Sequence, residues 1–166
     1  MSNDPSVSTP EAPAPPIPAP AVHPPSHIRA TWEADQAFDT GKPNGPTARF
    51  DGRGKTGQTP PDALLSALAS CAGIDVVDYL AKRRTPVTTF AVDVQADRRE
   101  THPRRFEKIR VRFEIVGANV VRAHAERAVQ LAFERYCSVS ASLAPDIEIS
   151  AVVVLNGEEG ASLKLV

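Results

Sequence analysis

The chain predicts an α+β domain with helices laid against one face of an antiparallel sheet. Three observations carry this expectation. A long apolar helix opens at Thr59-Pro60-Pro61-Asp62. Three segments alternate apolar and polar residues with a period of two: Phe90 to Ala96, Ile109 to Ile115 and Ile147 to Leu155. Their order along the chain reads β, β, long α, β, β, α, α, β, which groups helices and strands instead of alternating them.

The domain is expected to fill residues 27–156 of the 166. Residues 1–26 hold nine of the sixteen prolines and no periodic apolar pattern. Proline removes a backbone donor and fixes φ, so this stretch reads as a disordered tail. Residues 157–166 read as a loose C-terminal tail. No internal repeat is visible. The 19 basic and 20 acidic residues nearly cancel, so composition favours no nucleic-acid partner. No apolar stretch is read as reaching membrane length, and no basic and apolar blocks of a secretory signal open the chain. Two cysteines in a domain of this size suit a reducing, cytoplasmic setting better than a disulfide scaffold.

Taken in order, His27 to Glu33 alternates as a strand. Residues 37–57, rich in Gly, Pro, Asn and Asp, are expected to be turns joining short strands near Thr47 to Phe50. Thr59 is the N-cap, Pro60 the first helical residue and Asp62 the capping-box carboxylate. The helix runs to about Arg84, where Lys82, Arg83 and Arg84 suit its negative pole and Pro86 stops it. From Leu64 to Val77 it is apolar or small on nearly every face, which predicts a helix buried on all sides. Phe90, Val92, Val94 and Ala96 face inward on the next strand, and Ile109, Val111, Phe113 and Ile115 on its partner. The charged link Arg98 to Arg105 reads as a solvated hairpin loop. Asn119 is expected to cap a helix from Val120 to about Tyr136, with Ala125, Ala128, Val129, Ala132 and Tyr136 on its inner stripe. Ser138 to Ala144 forms a short helix, and Ile147 to Leu155 the last strand. His102 and His124 are expected to face solvent. No His, Cys and Asp spacing suggests a metal site.

The chemistry rests on the two cysteines. Cys71 lies within the apolar helix and Cys137 in Tyr136-Cys137-Ser138-Val139, far away in sequence. A thiol pair needs one sulfur to react and one to resolve. A reactive thiol must first be a thiolate. Cys71 sits about three turns into its helix, too deep to gain much from the helix dipole. Burial, and an ionised Asp75 one turn on, would oppose its ionisation. A cation must therefore come from Lys42, Arg49, Arg53 or a second copy of the chain.

The run Pro61 to Cys71, followed by Ile74-Asp75-Val76-Val77, resembles the central cysteine helix of the OsmC/Ohr family. Tyr136-Cys137-Ser138-Val139 resembles that family's second cysteine segment, and Asp97-Arg98-Arg99-Glu100 also fits its OsmC-like branch. The likeness spans about residues 28–155. It implies an intertwined homodimer in the OsmC-like fold, with two sites at the interface. It also implies reduction of organic hydroperoxides by thiols, with no cofactor and no metal. By position, Cys71 matches the peroxidatic cysteine and Cys137 the resolving one. The resemblance further implies a sulfenic acid at Cys71, then a disulfide, then reduction by a dithiol such as a lipoylated protein or thioredoxin. The family's Glu falls at Pro61, leaving Asp62 one step later. Its Arg falls near Gly41-Lys42-Pro43, where Lys42 is the available cation. The expected catalytic set is therefore Cys71, Cys137, Asp62, Lys42 and Asp75. The alternative is a small-molecule binding protein that keeps the fold without the Arg and Glu. Neither nucleic acid nor a membrane is expected as a partner.

Overall fold

Thr59 opens the central helix as its sequence demands. Its backbone is extended at φ −68° and ψ 152°, and its hydroxyl oxygen accepts from the Asp62 amide at 3.4 Å. The same hydroxyl donates to the Asp62 carboxylate at 2.6 Å, which ties the two side chains together. The computed structural model describes residues 24–165. All but the last three residues of the tail expected at 1–26 lie outside that range.

The elements are β1 Arg29–Ala34, β2 Ala37–Gly41, β3 Thr47–Asp51, α1 Pro60–Lys82, β4 Thr89–Arg98, β5 Phe106–Val116, α2 Arg122–Leu131, α3 Ser138–Ala141, β6 Glu148–Leu155, β7 Glu158–Glu159 and β8 Leu163–Lys164. Residues Ala132–Tyr136 form a π-helical turn between α2 and α3. The strands make two sheets. One is the antiparallel meander β1-β2-β3. The other has the order β4-β5-β6-β7, with β8 also on β6.

The α+β class holds, with departures in detail. The larger sheet is mixed: β4 and β5 are antiparallel, but β5 and β6 run parallel, from Lys108 opposite Glu148 to Ile115 opposite Leu155. A parallel pair needs a crossover, and α2, the π turn and α3 supply it. Residues 157–166 are not a loose tail throughout, because Glu158–Glu159 and Leu163–Lys164 pair with β6. Their pairing covers a backbone edge that β6 would otherwise leave open. Asn119 does not cap α2. The helix starts later, after Val121, with no side-chain cap. Tyr136 leaves the inner stripe and is 55% exposed.

Helix α1 is not buried on all sides in the isolated chain. Leu68, Ala72, Val76 and Leu80, spaced by four, form its buried face. The opposite face is open, with Ile74 63% exposed, and Leu64, at the N-terminal end of the buried row, is 41% exposed. At 23 residues and with its apolar composition, α1 also has the length of a membrane span, contrary to the reading of the sequence. Its buried face belongs to the core formed with Phe113, Ile109, Ile149 and Val153. Gly73 lets α1 sit close to β4, since an added Cβ would lie a tight 3.2 Å from the Phe90 ring.

The loop into α1 is built around Asp51. Its carboxylate accepts from the amides of Arg53, Lys55 and Thr56 and from the Thr56 hydroxyl, at 2.8 to 3.1 Å. Its own amide donates to the Gln58 carbonyl next to the Thr59 cap. The hydrogen bonds from the Arg53 and Thr56 amides hold the Asp51 carboxyl down at about 2. A lowered carboxyl stabilises the fold above its unfolded value near 4, and that contribution is lost as pH falls toward 2. Asp51→Asn keeps one acceptor oxygen, so its melting temperature is expected to lie below wild type at pH 7. The gap should close between about pH 4 and pH 2, and a gap that stays constant over that window rules out this role for Asp51.

Candidate functional site

The π turn places Cys137. The Cys137 amide donates to the Ala132 carbonyl, five residues back, at 2.7 Å. The wider turn ends α2 and brings the chain out extended at Cys137, with φ −69° and ψ 98°. Cys137 then serves as N-cap of α3, its sulfur accepting from the Ser140 amide at 3.4 Å. Both the π turn and α3 pack on α1, which carries Cys71. The two cysteines, far apart in sequence, are thereby neighbours. Both are free thiols, with Cys71 half-buried and Cys137 only 3% exposed.

Burial pushes the Cys137 thiol up to about 11. The Ser140 amide opposes this, while the adjacent Cys71 side chain adds to it both as a hydrogen-bonding neighbour and as a charge. Cys137 therefore holds its proton at neutral pH. Of the two sulfurs, the half-buried Cys71 is the more accessible.

Asp75 lies one helical turn beyond Cys71 on α1. Its Oδ2 is buried with no hydrogen-bond partner. Burial first, then the neighbouring Asp78 charge, raise its carboxyl above the ordinary range, and Lys82 partly offsets them. Asp62 is exposed and engaged with Thr59 at the helix start. Lys42 is exposed in the turn between β2 and β3, where its carbonyl accepts from Gly45. Arg49 is committed to a two-point ion pair with Asp39. Among the described residues no cation hydrogen-bonds to Cys71. The chain thus brings Cys71 and Cys137 together, with Asp75 one turn from Cys71 on the same helix, and leaves Asp62 in its cap and Lys42 in the turn between β2 and β3.

Sequence reading missed two features. The π turn has no residue signature, although a cysteine just after a helix and before Ser-Val-Ser marks a possible cap. His124 was expected in solvent, yet its Nε2 lies 2.9 Å from an Arg83 terminal nitrogen and its Nδ1 is buried without a partner. Arg83 also lies over the Tyr79 ring, 5.7 Å from its centroid. Away from the thiol pair, which does not line it, the open face of α1 and strand β4 border an apolar groove of about 530 Å³, walled by Ser70, Gly73, Ile74, Val77, Phe90 and Val92.

The sequence profile of the OsmC-like proteins matches residues 52–151, which takes in α1, both cysteines and the start of β6. The chain belongs to the OsmC-like family. Protein YhfA of Escherichia coli (strain K12) is 33% identical over 123 residues, covering 74% of this chain and 92% of that protein. A hypothetical protein from Aquifex aeolicus VF5 superposes with a TM-score of 0.71 at 27% identity, over 78% of this chain and 95% of that one. The organic hydroperoxide resistance protein OhrB of Bacillus subtilis shares the fold, with a TM-score of 0.52 at 18% identity over 78% of this chain and 98% of that one. In this OsmC-like chain the difference between the thiols is open to direct measurement. Limited alkylation of the native, reduced protein at pH 7 should label Cys71 well before Cys137, read by peptide mass. Labelling of Cys137 should rise steeply only as pH approaches about 11. Equal labelling at pH 7 would contradict the burial assigned to Cys137.

Proposed function

We propose that this chain is a thiol peroxidase that reduces organic hydroperoxides through Cys71 and Cys137. The juxtaposition of a half-exposed Cys71 with a buried, protonated Cys137 carries the reading. The Cys71 thiolate attacks the O–O bond of ROOH, giving Cys71 sulfenic acid and, with one proton, ROH. The Cys137 thiol then condenses with the sulfenic acid, forming a disulfide and releasing water. A dithiol reductant, such as a lipoylated protein or thioredoxin, restores both thiols and leaves as its own disulfide. Asp75 is proposed as the donor of the proton to the departing alkoxide, because its carboxyl lies one turn from the reacting sulfur with one buried oxygen free of any partner, and burial favours its protonated form. Asp62 is assigned to the helix cap, with any catalytic share secondary to it.

The homodimer is part of the same proposal. Ile74, Leu64, Trp32 and Phe38 give one chain exposed apolar side chains, and where such residues adjoin they mark an interaction surface. A second copy seated on the open face of α1 would cover it. Lys42, exposed in the turn between β2 and β3, would be offered to a thiol of the second copy. Two free thiols suit a cytoplasmic protein. A second reading, a small-molecule binder without turnover, is favoured by the apolar groove and by the lack of a cation bonded to Cys71.

The deciding experiment treats the reduced protein with one equivalent of cumene hydroperoxide and follows intact mass. The expected result is a loss of about 2 Da, reversed by a dithiol, and no such loss in Cys71→Ser. In the same assay Asp75→Asn should slow thiol loss by about tenfold or more. Unchanged mass, or slow oxygen addition at Cys71 alone, would leave the binder. Disulfide closure should also accelerate with pH, by up to about tenfold per unit, as the Cys137 thiolate becomes populated. For the dimer, sedimentation should give twice the chain mass, and Ile74→Glu should shift it toward one chain. A wild-type protein that sediments as a single chain at micromolar concentration would remove the dimer from the proposal.

A further inference from the structure

The connection between β4 and β5 is the exposed hairpin loop that its sequence predicts, and two of its arginines are folded back onto it. Arg98 Nε donates to the Arg104 carbonyl at 2.6 Å, and Arg99 Nε to the Pro103 carbonyl at 2.7 Å. The Arg98 guanidinium also lies over the ring of buried Phe106, 5.7 Å from its centroid. Both side chains are thus held at the inner nitrogen, and their terminal nitrogens form no hydrogen bond among the described residues. Arg104 likewise has no side-chain partner there. These three arginines and Glu100 line an open cleft of about 580 Å³.

The neighbouring cations differ. Arg105 grips Asp146 at two points, one of them 2.9 Å, and Arg110 grips Asp97 at 2.6 and 2.8 Å. Arg98, Arg99 and Arg104 make no ion pair among the described residues, and Glu100 makes none with them. The lining side chains therefore carry an excess of two positive charges, with Arg99 also close enough to Asp146 to feel its carboxylate. Unpaired like charges held close together repel one another, and a bound anion removes that cost. A guanidinium presents its donors as a planar fork that matches two oxygens of a tetrahedral oxyanion. Anchoring at Nε lowers the side-chain entropy that a ligand must otherwise remove on binding.

We propose that this cleft is a binding site for a phosphate group, either the free ion or the phosphate of a small monoester. A phosphate dianion matches the excess charge and offers acceptor oxygens to all three forks. The lining residues belong to the hairpin connection and not to the helices that carry the thiols, so the site is independent of the peroxidase proposal.

The test is calorimetric titration of the full chain at low salt, once with inorganic phosphate and once with phenyl phosphate. Saturable binding of one ion per chain is expected, weakening as sodium chloride is added. Binding of inorganic phosphate assigns the free ion, and binding of phenyl phosphate alone assigns a monoester. Arg104→Gln is the main variant, because that side chain holds nothing in the fold. It should weaken binding by about tenfold or more. Arg29→Gln, on β1, should leave the affinity within about twofold. No saturable heat with either ligand, or an Arg104→Gln protein that binds like wild type, overturns the site.

Discussion

The packing of one face of α1 on the larger sheet is the constraint on which the molecule depends. Leu68, Ala72, Val76 and Leu80 recur every fourth residue and are essentially without solvent contact. Their spacing fixes the rotation of the helix about its axis. Once that rotation is set, Gly73 must meet Phe90, and Cys71 and Asp75 must turn toward the crossover that holds Cys137. The thiol pair is thus a by-product of core packing. Loss of volume at Leu80 or Leu68, which costs roughly 2–5 kcal/mol in a typical core, would also blur the angle at which Cys71 is presented.

Electrostatics does little to hold this arrangement and more to decorate it. Ion pairs such as Lys108 with Glu148 at 3.2 Å and Arg110 with Asp97 join neighbouring strands on the outer surface of the sheet. Exposed pairs of this kind are worth at most about 1 kcal/mol each. The buried polar groups matter more because they are few. Asp51 is satisfied four times and organises a loop, whereas Asp75 and His124 each keep one buried atom without a partner. An unsatisfied buried group costs stability, so its survival in a chain calls for some return in function.

Local chemistry was readable from the sequence wherever a single residue type has one dominant use. Thr59-Pro60-Pro61-Asp62 forms the cap it promises, and the inward residues of β5 and β6 are buried as their alternation requires. Long-range facts were not readable in that way. Nothing in the period of β6 distinguishes a parallel from an antiparallel neighbour, because both directions show the same alternation. The run Leu64 to Val77, apolar or small on nearly every face, predicts burial all round, but it does not say what covers the outer face. The pairing of Cys71 with Cys137 came from family likeness, not from periodicity. The π turn that creates it depends on one backbone hydrogen bond, which no side chain announces.

That turn also sets what kind of genetic change the thiol geometry tolerates. An α-helix advances by about 100° per residue, so carrying one extra residue within a turn rotates everything after it by that amount. Cys137 reaches its neighbour because of a count of residues between Ala132 and Tyr136, more than because of which residues they are. Exchanges at the exposed positions Glu134 and Arg135 leave the count intact. Deleting either one restores ordinary helical phase and swings the sulfur away from α1. In this stretch the reading frame of the backbone, more than the alphabet of side chains, is under constraint.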